Sequence, residues 1–403
     1  MVRTRIPLFV FAFLSLARPS FAQSPEPSPP TAEADRLRAE LAALKLEFAN
    51  RLTALEERLK SVESSTTGVA AVAASSVPST PAPVSSSKIF NPDIAVIGDF
   101  IGAAGKTPGA EPSLEMHEAE LSLQAIVDPY ARADVFLTFG PEEVGIEEAF
   151  ITFPTLPGGL LAKVGRFRDA FGKMNAAHNH VLPFPDRPLM TQNLLGGEEG
   201  LGDSGISISR LFPNNFAFLE ATGQVFRGQS EIFAAEKRED LAYVSHLRAY
   251  RDLSESTNLD LGGSFAHGHN DALSTTRLWG ADATLRYRPL RRSIYTHFLA
   301  RTELTWSRRR ELAGPSAFGA YGHLEYQFAR RWTAGARFDV SDRALDPSVR
   351  DKGGSFLLTY APSEFSVVRG QFRQTRLGDI SKKSNEFLLQ FLFAIGAHGA
   401  HPF

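Results

Sequence analysis

The feature that most constrains the fold of this chain is an alternation of apolar and polar residues that recurs between residues 89 and 403. Stretches of about ten residues carry an apolar side chain at every second position, and turn-forming residues close each stretch. Successive side chains of a strand point to opposite faces, so the pattern predicts strands with one apolar and one polar face. We count about sixteen strands from Asp93 onwards and find no sustained helical period. The clearest alternations run over residues 121–127, 133–139, 279–287, 298–306 and 332–340.

This alternation suits two folds. In a soluble β-sandwich the apolar face would point to the core, whereas in a membrane barrel it would point to lipid and the polar face to the lumen. The links between the predicted strands alternate between short and long, and the longest link spans 169–204. Outer-membrane barrels have short turns at one end, long loops at the other and an even number of strands. The rhythm of the links therefore favours the barrel.

Aromatic residues and the C-terminus support the same choice. Many aromatic side chains stand at the ends of predicted strands, as in the interfacial girdles of membrane barrels. The last predicted strand, Phe387 to Phe393, is strongly apolar, and the chain ends in Phe403. We predict an all-β fold: a transmembrane antiparallel β-barrel of about sixteen strands over 89–403.

The first 88 residues differ in character from the rest. Residues 1–22 have a basic start, a short apolar run and small residues before a cleavage point, and they predict a signal peptide. Residues 23–31 form a Pro-rich linker, and residues 64–88 form a Ser-rich linker that we expect to be disordered. Between them, residues 32–63 carry an apolar stripe with heptad spacing, which favours an α-helical coiled coil over a lone helix packed on the barrel.

Composition excludes several classes of protein. The sequence contains no cysteine, which rules out disulfides and thiolate-ligated metals. Its formal net charge of −2 does not suggest a nucleic-acid partner. Together, the predicted signal peptide and barrel lead us to expect export to the bacterial outer membrane, with the coiled coil in the periplasm and with lipid and lipopolysaccharide around the barrel.

One part of the barrel resembles a known family. Residues 165–173 (GRFRDAFGK), residues 178–190 and the sequence Gly202-Asp203-Ser204-Gly205 resemble the phosphate-selective porin O and P family. The predicted coiled coil before a barrel is similar to the sugar-porin arrangement. Both resemblances imply homotrimers of barrels with about sixteen to eighteen strands, whose third outer loop folds into the lumen. Our count likewise makes 169–204 the third long loop.

The predicted lumen face carries both signs of charge, and mixed rows of charge give a transverse field across a constriction. We therefore do not predict the phosphate selectivity that the resemblance implies, because that would need a ladder of cationic side chains. The predicted pore-lining residues are Glu118, Glu120, Arg132, Asp134, Glu148, Arg166, Arg168, Lys173, His178 and His180.

Two His-x-His pairs are candidate metal ligands. His178 and His180 lie in the predicted constriction loop, and His267 and His269 lie in another predicted loop. Such pairs can chelate Zn²⁺ or Cu²⁺, but a site needs three or four ligands. We expect polar loop residues and predict neither a metal nor a cofactor.

Catalysis is not predicted either. Glu147 and Glu148 are adjacent on a strand, so we expect their side chains to point to opposite faces. A barrel enzyme needs a Ser/His or Asp/His constellation at the lip, and nothing in the sequence positions Ser204, Asp203 and His180 in that way.

The leading hypothesis is a homotrimeric porin for passive diffusion of small hydrophilic solutes or ions. The alternative is a structural protein, in which the barrel anchors a coiled coil that tethers the outer membrane to the cell wall. That alternative predicts a lumen filled by side chains. A gated receptor of the TonB-dependent type needs a plug domain and a barrel of about 22 strands, for which the chain is too short.

Overall fold

The computed structural model describes residues 92–105, 113–141, 144–379 and 383–396. The predicted signal peptide, both linkers and the coiled coil lie outside these residues, as does Phe403, and all remain predictions. Among the described residues, no helix combines the length and the apolar character that a membrane crossing requires.

Sixteen antiparallel strands form a closed barrel in which each strand pairs with its neighbours along the chain. β1 and β16 close it through a register that runs from Ala95 opposite Gly396 to Gly105 opposite Glu386. The predicted strand number is confirmed. The strands are β1 (Asp93–Gly105), β2 (Leu114–Asp128), β3 (Ala131–Phe139), β4 (Val144–Leu156), β5 (Leu160–Arg168), β6 (Gly202–Phe212), β7 (Phe218–Phe226), β8 (Ala242–Ser254), β9 (Thr257–His269), β10 (Thr275–Tyr287), β11 (His297–Arg309), β12 (Ala317–Ala329), β13 (Trp332–Asp342), β14 (Arg350–Ser363), β15 (Ser366–Arg376) and β16 (Lys383–Gly396).

The connections divide the barrel into a short-turn end and a long-loop end. At the short-turn end, strands are joined by turns such as 129–130 and 330–331, with the 3₁₀ turn Leu290–Arg292 in the longest of them. At the long-loop end, the third connection spans 169–201 and is the longest. We call it the third loop. It contains the 3₁₀ turn Asn179–Val181 and the single-turn helix α1 (Leu189–Leu194).

The two faces of the barrel have the polarity predicted for a membrane protein. Outward-facing residues such as Leu247 and Phe338 are large, apolar and more than 60% exposed. Inward-facing residues such as Glu120, Asp260 and Thr284 are polar and fully buried. A soluble sandwich would have the opposite arrangement, so the outer face is suited to lipid rather than to water.

Aromatic side chains stand on the outer face near both ends of the barrel. Near the long-loop end, Trp306 packs on Phe318 with ring centroids 5.4 Å apart. Near the short-turn end, Trp332 packs on Tyr360 at 4.6 Å. This placement matches the predicted girdles at the two interfaces of the apolar band.

The largest cluster of buried apolar residues lies inside the barrel, in its long-loop half. The third loop contributes Phe171, Met174, Leu182, Phe184, Met190, Leu194, Leu195 and Leu201. The barrel wall contributes Phe167, Phe226, Val244, Ala266, Leu278, Ala317, Tyr321 and Leu357, and the connection between β7 and β8 contributes Phe233. We call this cluster the lumenal core. Burial of these side chains holds the third loop inside the barrel.

Candidate functional site: the third loop inside the barrel

The third loop is closed at its base by the strand ends that it joins. Asp169 N donates a hydrogen bond of 2.9 Å to Leu201 O. The buried side chain of Asn175 donates to both Asp169 O and Leu201 O and accepts a hydrogen bond from Leu201 N at 2.6 Å. Burial and the neighbouring Asp203 carboxylate raise the pKa of Asp169 well above its usual value.

Arg187 holds the middle of the third loop in shape. Its guanidinium donates to Met174 O, Ala177 O and Asn179 Oδ1 at 2.8–2.9 Å, and its side chain is buried. The guanidinium thereby joins three positions of the loop, and two of its acceptors are backbone carbonyls. The loop therefore enters the lumen as a folded unit with its own hydrogen bonds.

The first anchor of the third loop is a buried group of two histidines and four glutamates on the wall formed by β2 and β4. His178 Nδ1 lies 2.7 Å from Glu120 Oε2, and its Nε2 lies 2.8 Å from Glu148 Oε2. His180 Nδ1 lies 3.5 Å from Glu120 Oε2 and 3.6 Å from Glu118 Oε1. Glu147 Oε2 is 3.2 Å from His178 Nδ1. We call these six residues the histidine–carboxylate cluster.

A β-bulge explains why both Glu147 and Glu148 reach the same histidine. In the pairing of β3 with β4, Phe136 is opposite Glu148 and Leu137 is opposite Ile146, so Glu147 is the extra residue. The expectation that these two side chains point to opposite faces was therefore wrong. The bulge directs both carboxylates into the lumen.

Arg168, the last residue of β5, braces the cluster. Its guanidinium forms an ion pair with Glu147 and donates to Glu199 O at 2.6 Å. Its backbone N–H donates to Glu148 Oε1 at 2.7 Å. Arg168 thus fixes two of the carboxylates that face His178, Glu147 and Glu148.

The electrostatics of the cluster favour a charged histidine. Burial lowers the pKa of His178, but Glu147, Glu120 and Glu148 raise it by more, and the net pKa lies well above the ordinary value for histidine. A protonated imidazole can donate from both ring nitrogens, one toward Glu120 and the other toward Glu148.

The second anchor lies on β9, β10 and β11. The Lys173 ammonium forms an ion pair with Asp260 and lies 4.0 Å from Asp282 Oδ1. The backbone N–H groups of Lys173 and Met174 donate to the Glu303 carboxylate at 3.1 and 3.0 Å. A wall carboxylate therefore replaces the backbone partners that this turn of the loop lacks.

The turn at this anchor depends on a glycine. Gly172 has φ +63, and a Cβ at this position would lie 2.2 Å from Glu303 Oε2. Its N–H donates to Ser264 Oγ at 2.9 Å. The left-handed backbone and the close carboxylate both require the absence of a side chain.

The third anchor joins the loop to β13 and β15. Asp186 Oδ2 lies 2.7 Å from a guanidinium nitrogen of Arg337 and 2.7 Å from one of Arg373. Gln371 Nε2 donates to Asp186 Oδ1 at 2.6 Å. Burial raises the pKa of Asp186, but Arg337 and Arg373 lower it by more, and the net pKa lies well below the usual range.

Two cavities with charged side chains in their linings lie against the third loop. One cavity of about 410 Å³ opens toward the short-turn end, and we call it the basic vestibule; its charged lining is Lys173, Glu220, Arg248, Arg286, Arg301 and Glu325. A second cavity of about 460 Å³ lies at the long-loop end and is lined in part by Arg166, Arg168 and Arg227. Both cavities are lined in part by residues of the third loop.

The structure brings six of the ten predicted pore-lining residues together. Glu118, Glu120, Glu148, His178 and His180 belong to the histidine–carboxylate cluster, and Arg168 contacts it. The other four lie elsewhere. Arg132 and Asp134 form an ion pair of 2.8 Å on β3, Arg166 Nε donates to Ile146 O at 3.0 Å, and Lys173 belongs to the second anchor.

Sequence reasoning missed the third anchor entirely. Asp186 lies within a segment that carried the family resemblance, but Arg337 and Arg373 follow it by more than 150 residues, and no local pattern pairs them. The placement of the second His-x-His pair was also wrong. His267 and His269 lie on β9, which continues to His269, rather than in a loop.

Solved structures of outer-membrane proteins share this fold, among them the following three. The anion-selective porin from Comamonas acidovorans matches 75% of this chain and 99% of its own length, with a TM-score of 0.55 and 11% identity. OprB of Pseudomonas putida matches 76% of this chain and 94% of its own length, with a TM-score of 0.53 and 10% identity. The outer-membrane channel DcaP of Acinetobacter baumannii matches 76% of this chain and 96% of its own length, with a TM-score of 0.51 and 10% identity. At these identities the likeness is one of fold.

Sequence comparison adds one relative. No protein-family model matches the chain, so the resemblance to the phosphate-selective porin O and P family remains a prediction. An uncharacterized protein of Aquifex aeolicus (strain VF5) is 30% identical across 79% of this chain and 81% of its own length. The chain belongs to the same family as this Aquifex aeolicus protein, and its fold is the sixteen-stranded barrel of outer-membrane porins.

Proposed function

We propose that this protein is an outer-membrane channel for passive diffusion of small hydrophilic solutes or ions, with the third loop as its constriction. The observation that carries the proposal is the course of that loop. It leaves the wall at β5 and is fixed to β2 and β4, to β9 and β11, and to β13 and β15. A loop held on several sectors of the wall sets the width of the remaining passage.

The lumenal core supports a narrow passage. It fills part of the long-loop half of the barrel with apolar side chains, so a solute passes between the polar wall and the loop rather than through an open cylinder. Such a passage admits ions and small hydrophilic molecules and rejects large ones. The histidine–carboxylate cluster then acts by holding the loop, since Glu120 and His178 are buried.

Charge along the passage has both signs. The basic vestibule combines Arg248, Arg286 and Arg301 with Glu220 and Glu325. A phosphate-specific pathway would need cationic side chains along its whole length. We therefore propose a general channel and not the phosphate selectivity that the sequence resemblance implies.

Location and assembly belong to the same proposal. The apolar outer face with its two aromatic girdles supports insertion into the outer membrane. A homotrimer, with the coiled coil of residues 32–63 in the periplasm, is supported by the heptad spacing of that segment. Cross-linking of the full-length protein in detergent, compared with a form that lacks residues 32–63, tests the trimer.

A second candidate function is anchoring of the coiled coil in the outer membrane. The observation that favours it is how little of the lumen reaches solvent. Asp99, Gln371 and Gln390 all face the lumen and are at most 1% exposed. A barrel that serves only as an anchor needs no continuous water path.

Single-channel recording separates the two functions. The full-length protein is folded in detergent, its barrel content is checked by circular dichroism, and it is added to a planar bilayer under a salt gradient. Stepwise current increments support the channel. A folded barrel that inserts and passes no current refutes it and leaves the anchor.

A further inference from the structure

We propose that the histidine–carboxylate cluster is a binding site for a divalent cation of the Zn²⁺ type, held by Glu120, His178 and His180. This inference does not depend on whether the barrel conducts. Glu120 belongs to β2 and both histidines to the third loop, so a bound ion would join the loop to the wall.

The ligand atoms already lie close to one another. One donor atom from each of the three residues lies within 4.8 Å of the other two. A tetrahedral Zn²⁺ with ligands at about 2.0–2.1 Å separates its ligand atoms by roughly 3.4 Å. His180 Nδ1 and Glu120 Oε2 are 3.5 Å apart, close to that value. His178 Nδ1 and Glu120 Oε2 are 2.7 Å apart and need to separate by only about 0.7 Å.

A fourth ligand is available on either side. Glu118 Oε1 lies 3.6 Å from His180 Nδ1, and Glu147 Oε2 lies 3.2 Å from His178 Nδ1. Two imidazole nitrogens with one or two carboxylate oxygens suit Zn²⁺, whereas Mg²⁺ and Ca²⁺ prefer ligand sets made of oxygen. The donor set therefore specifies the class of cation.

The supporting contacts are those of a metal-bound histidine. When Nδ1 of His178 binds a cation, Nε2 carries the proton, and it faces Glu148 Oε2 at 2.8 Å. Carboxylates commonly hold the second nitrogen of a metal-bound imidazole in this way, which fixes its tautomer and orientation. The ion pair with Arg168 holds Glu147 in place.

Buried carboxylate oxygens that accept no hydrogen bond also favour a cation at this site. Within the described part of the chain, Glu118 Oε1 and Glu120 Oε1 are buried and accept no hydrogen bond. The four carboxylates of the cluster contact one guanidinium and two imidazoles, and the charges of Lys163 and Arg187 act on them from farther away. Buried carboxylates need compensating charge, and a divalent cation in place of the proton between His178 and Glu120 supplies more of it.

The test is Zn²⁺ binding to the full-length protein without a polyhistidine tag. The protein is folded in detergent, stripped with a chelator, and titrated with Zn²⁺ against a chromophoric competitor. Variants Glu120→Gln, His178→Asn and His180→Asn remove one ligand each. The double variant His267→Asn/His269→Asn is the matched control, because it removes a His-x-His pair from β9.

The proposal expects one tightly bound Zn²⁺ per chain, at least a tenfold weaker affinity in each folded ligand variant, and unchanged affinity in the control. If His178→Asn does not fold, Glu120→Gln and His180→Asn decide the matter. Substitution with Co²⁺ should give the intense visible absorption of a tetrahedral site in the wild type and lose it in those variants. Absence of stoichiometric Zn²⁺ binding in the wild type, or equal binding in all ligand variants, overturns the proposal.

Discussion

Asp186 Oδ2 and a guanidinium nitrogen of Arg337 lie 2.7 Å apart, although the two residues are 151 positions apart in the chain. The ion pair joins the third loop to β13, and Arg337 also stacks over the Phe184 ring at 4.3 Å. Charge and apolar packing thus fix the same stretch of the loop. Because the wall residue comes long after the loop in the sequence, closing this contact costs more chain entropy than a local one would.

Replacement of Asp186 by Asn should destabilise the folded barrel. The variant removes the charge that Arg337 and Arg373 share, but each arginine keeps a second carboxylate, Asp339 or Glu386. We therefore expect a loss of about 2 to 3 kcal/mol in the free energy of unfolding, which is less than the cost of leaving a buried charge without any partner. Urea unfolding in detergent measures it. The exposed Glu239→Gln is the control and should unfold as the wild type does.

Replacement of Asp169 by Asn should stabilise the protein at neutral pH. The folded-state pKa of Asp169 is raised, so between about pH 4, where the unfolded chain titrates, and that raised value the folded state binds more protons. Its contribution to stability therefore falls as the pH rises through this window. Asn does not ionise, so the variant avoids the cost of a buried carboxylate at neutral pH. Urea unfolding at pH 4 and pH 7 should show that the free energy of unfolding of the Asn variant rises relative to that of the wild type as the pH rises. The same pH dependence in both proteins would contradict this.

The barrel could be predicted from the sequence because its signals are local. Alternation along a strand, a turn after it and an aromatic at its end all lie within about ten residues, and together they give the strand number and the direction of each face. The third loop was recognisable for the same reason, since its length sets it apart from the other links.

The anchors could not be predicted because they depend on register and on distant pairs. The bulge at Glu147 changes the side to which one residue points, and alternation alone cannot place it. Glu120 meets His178 across 58 positions, and Asp186 meets Arg373 across 187. The His178 and His180 pair was visible in the sequence, but the glutamates that complete its surroundings were not.

Two glycines of the third loop provide a matched test of the second anchor. Gly172 and Gly197 both have positive φ, but a Cβ at Gly197 would meet nothing within 4 Å, whereas one at Gly172 would strike Glu303. Gly197→Ala should cost about 1 to 2 kcal/mol for the backbone alone. Gly172→Ala should cost about 1 to 3 kcal/mol more, because the Glu303 carboxylate must move. Equal losses in the free energy of unfolding, measured with urea, would show that the Glu303 carboxylate can move aside at no cost.

Phe338 tests whether the outer face contacts lipid. It lies near the middle of β13 and is 62% exposed. In a bilayer, Phe338→Arg should lower the free energy of unfolding by about 2 to 4 kcal/mol. On a water-facing surface the same change would be neutral or favourable. Folding into lipid vesicles across a urea series measures the difference, with Phe338→Leu as the control for lost aromatic area.

Arg301 tests whether the basic vestibule lies on the conduction path. It extends from β11 into that cavity, with its guanidinium 3.8 Å from Met174 Sδ of the third loop. Removal of a positive charge from a narrow passage reduces the local concentration of anions, and low-dielectric walls strengthen the effect. Arg301→Gln should therefore shift the reversal potential under a salt gradient toward cation preference. Arg331→Gln, at an exposed turn of the short-turn end, makes the same change in net charge and should leave the potential unaltered. Equal shifts in the two variants would place the ion path away from this cavity.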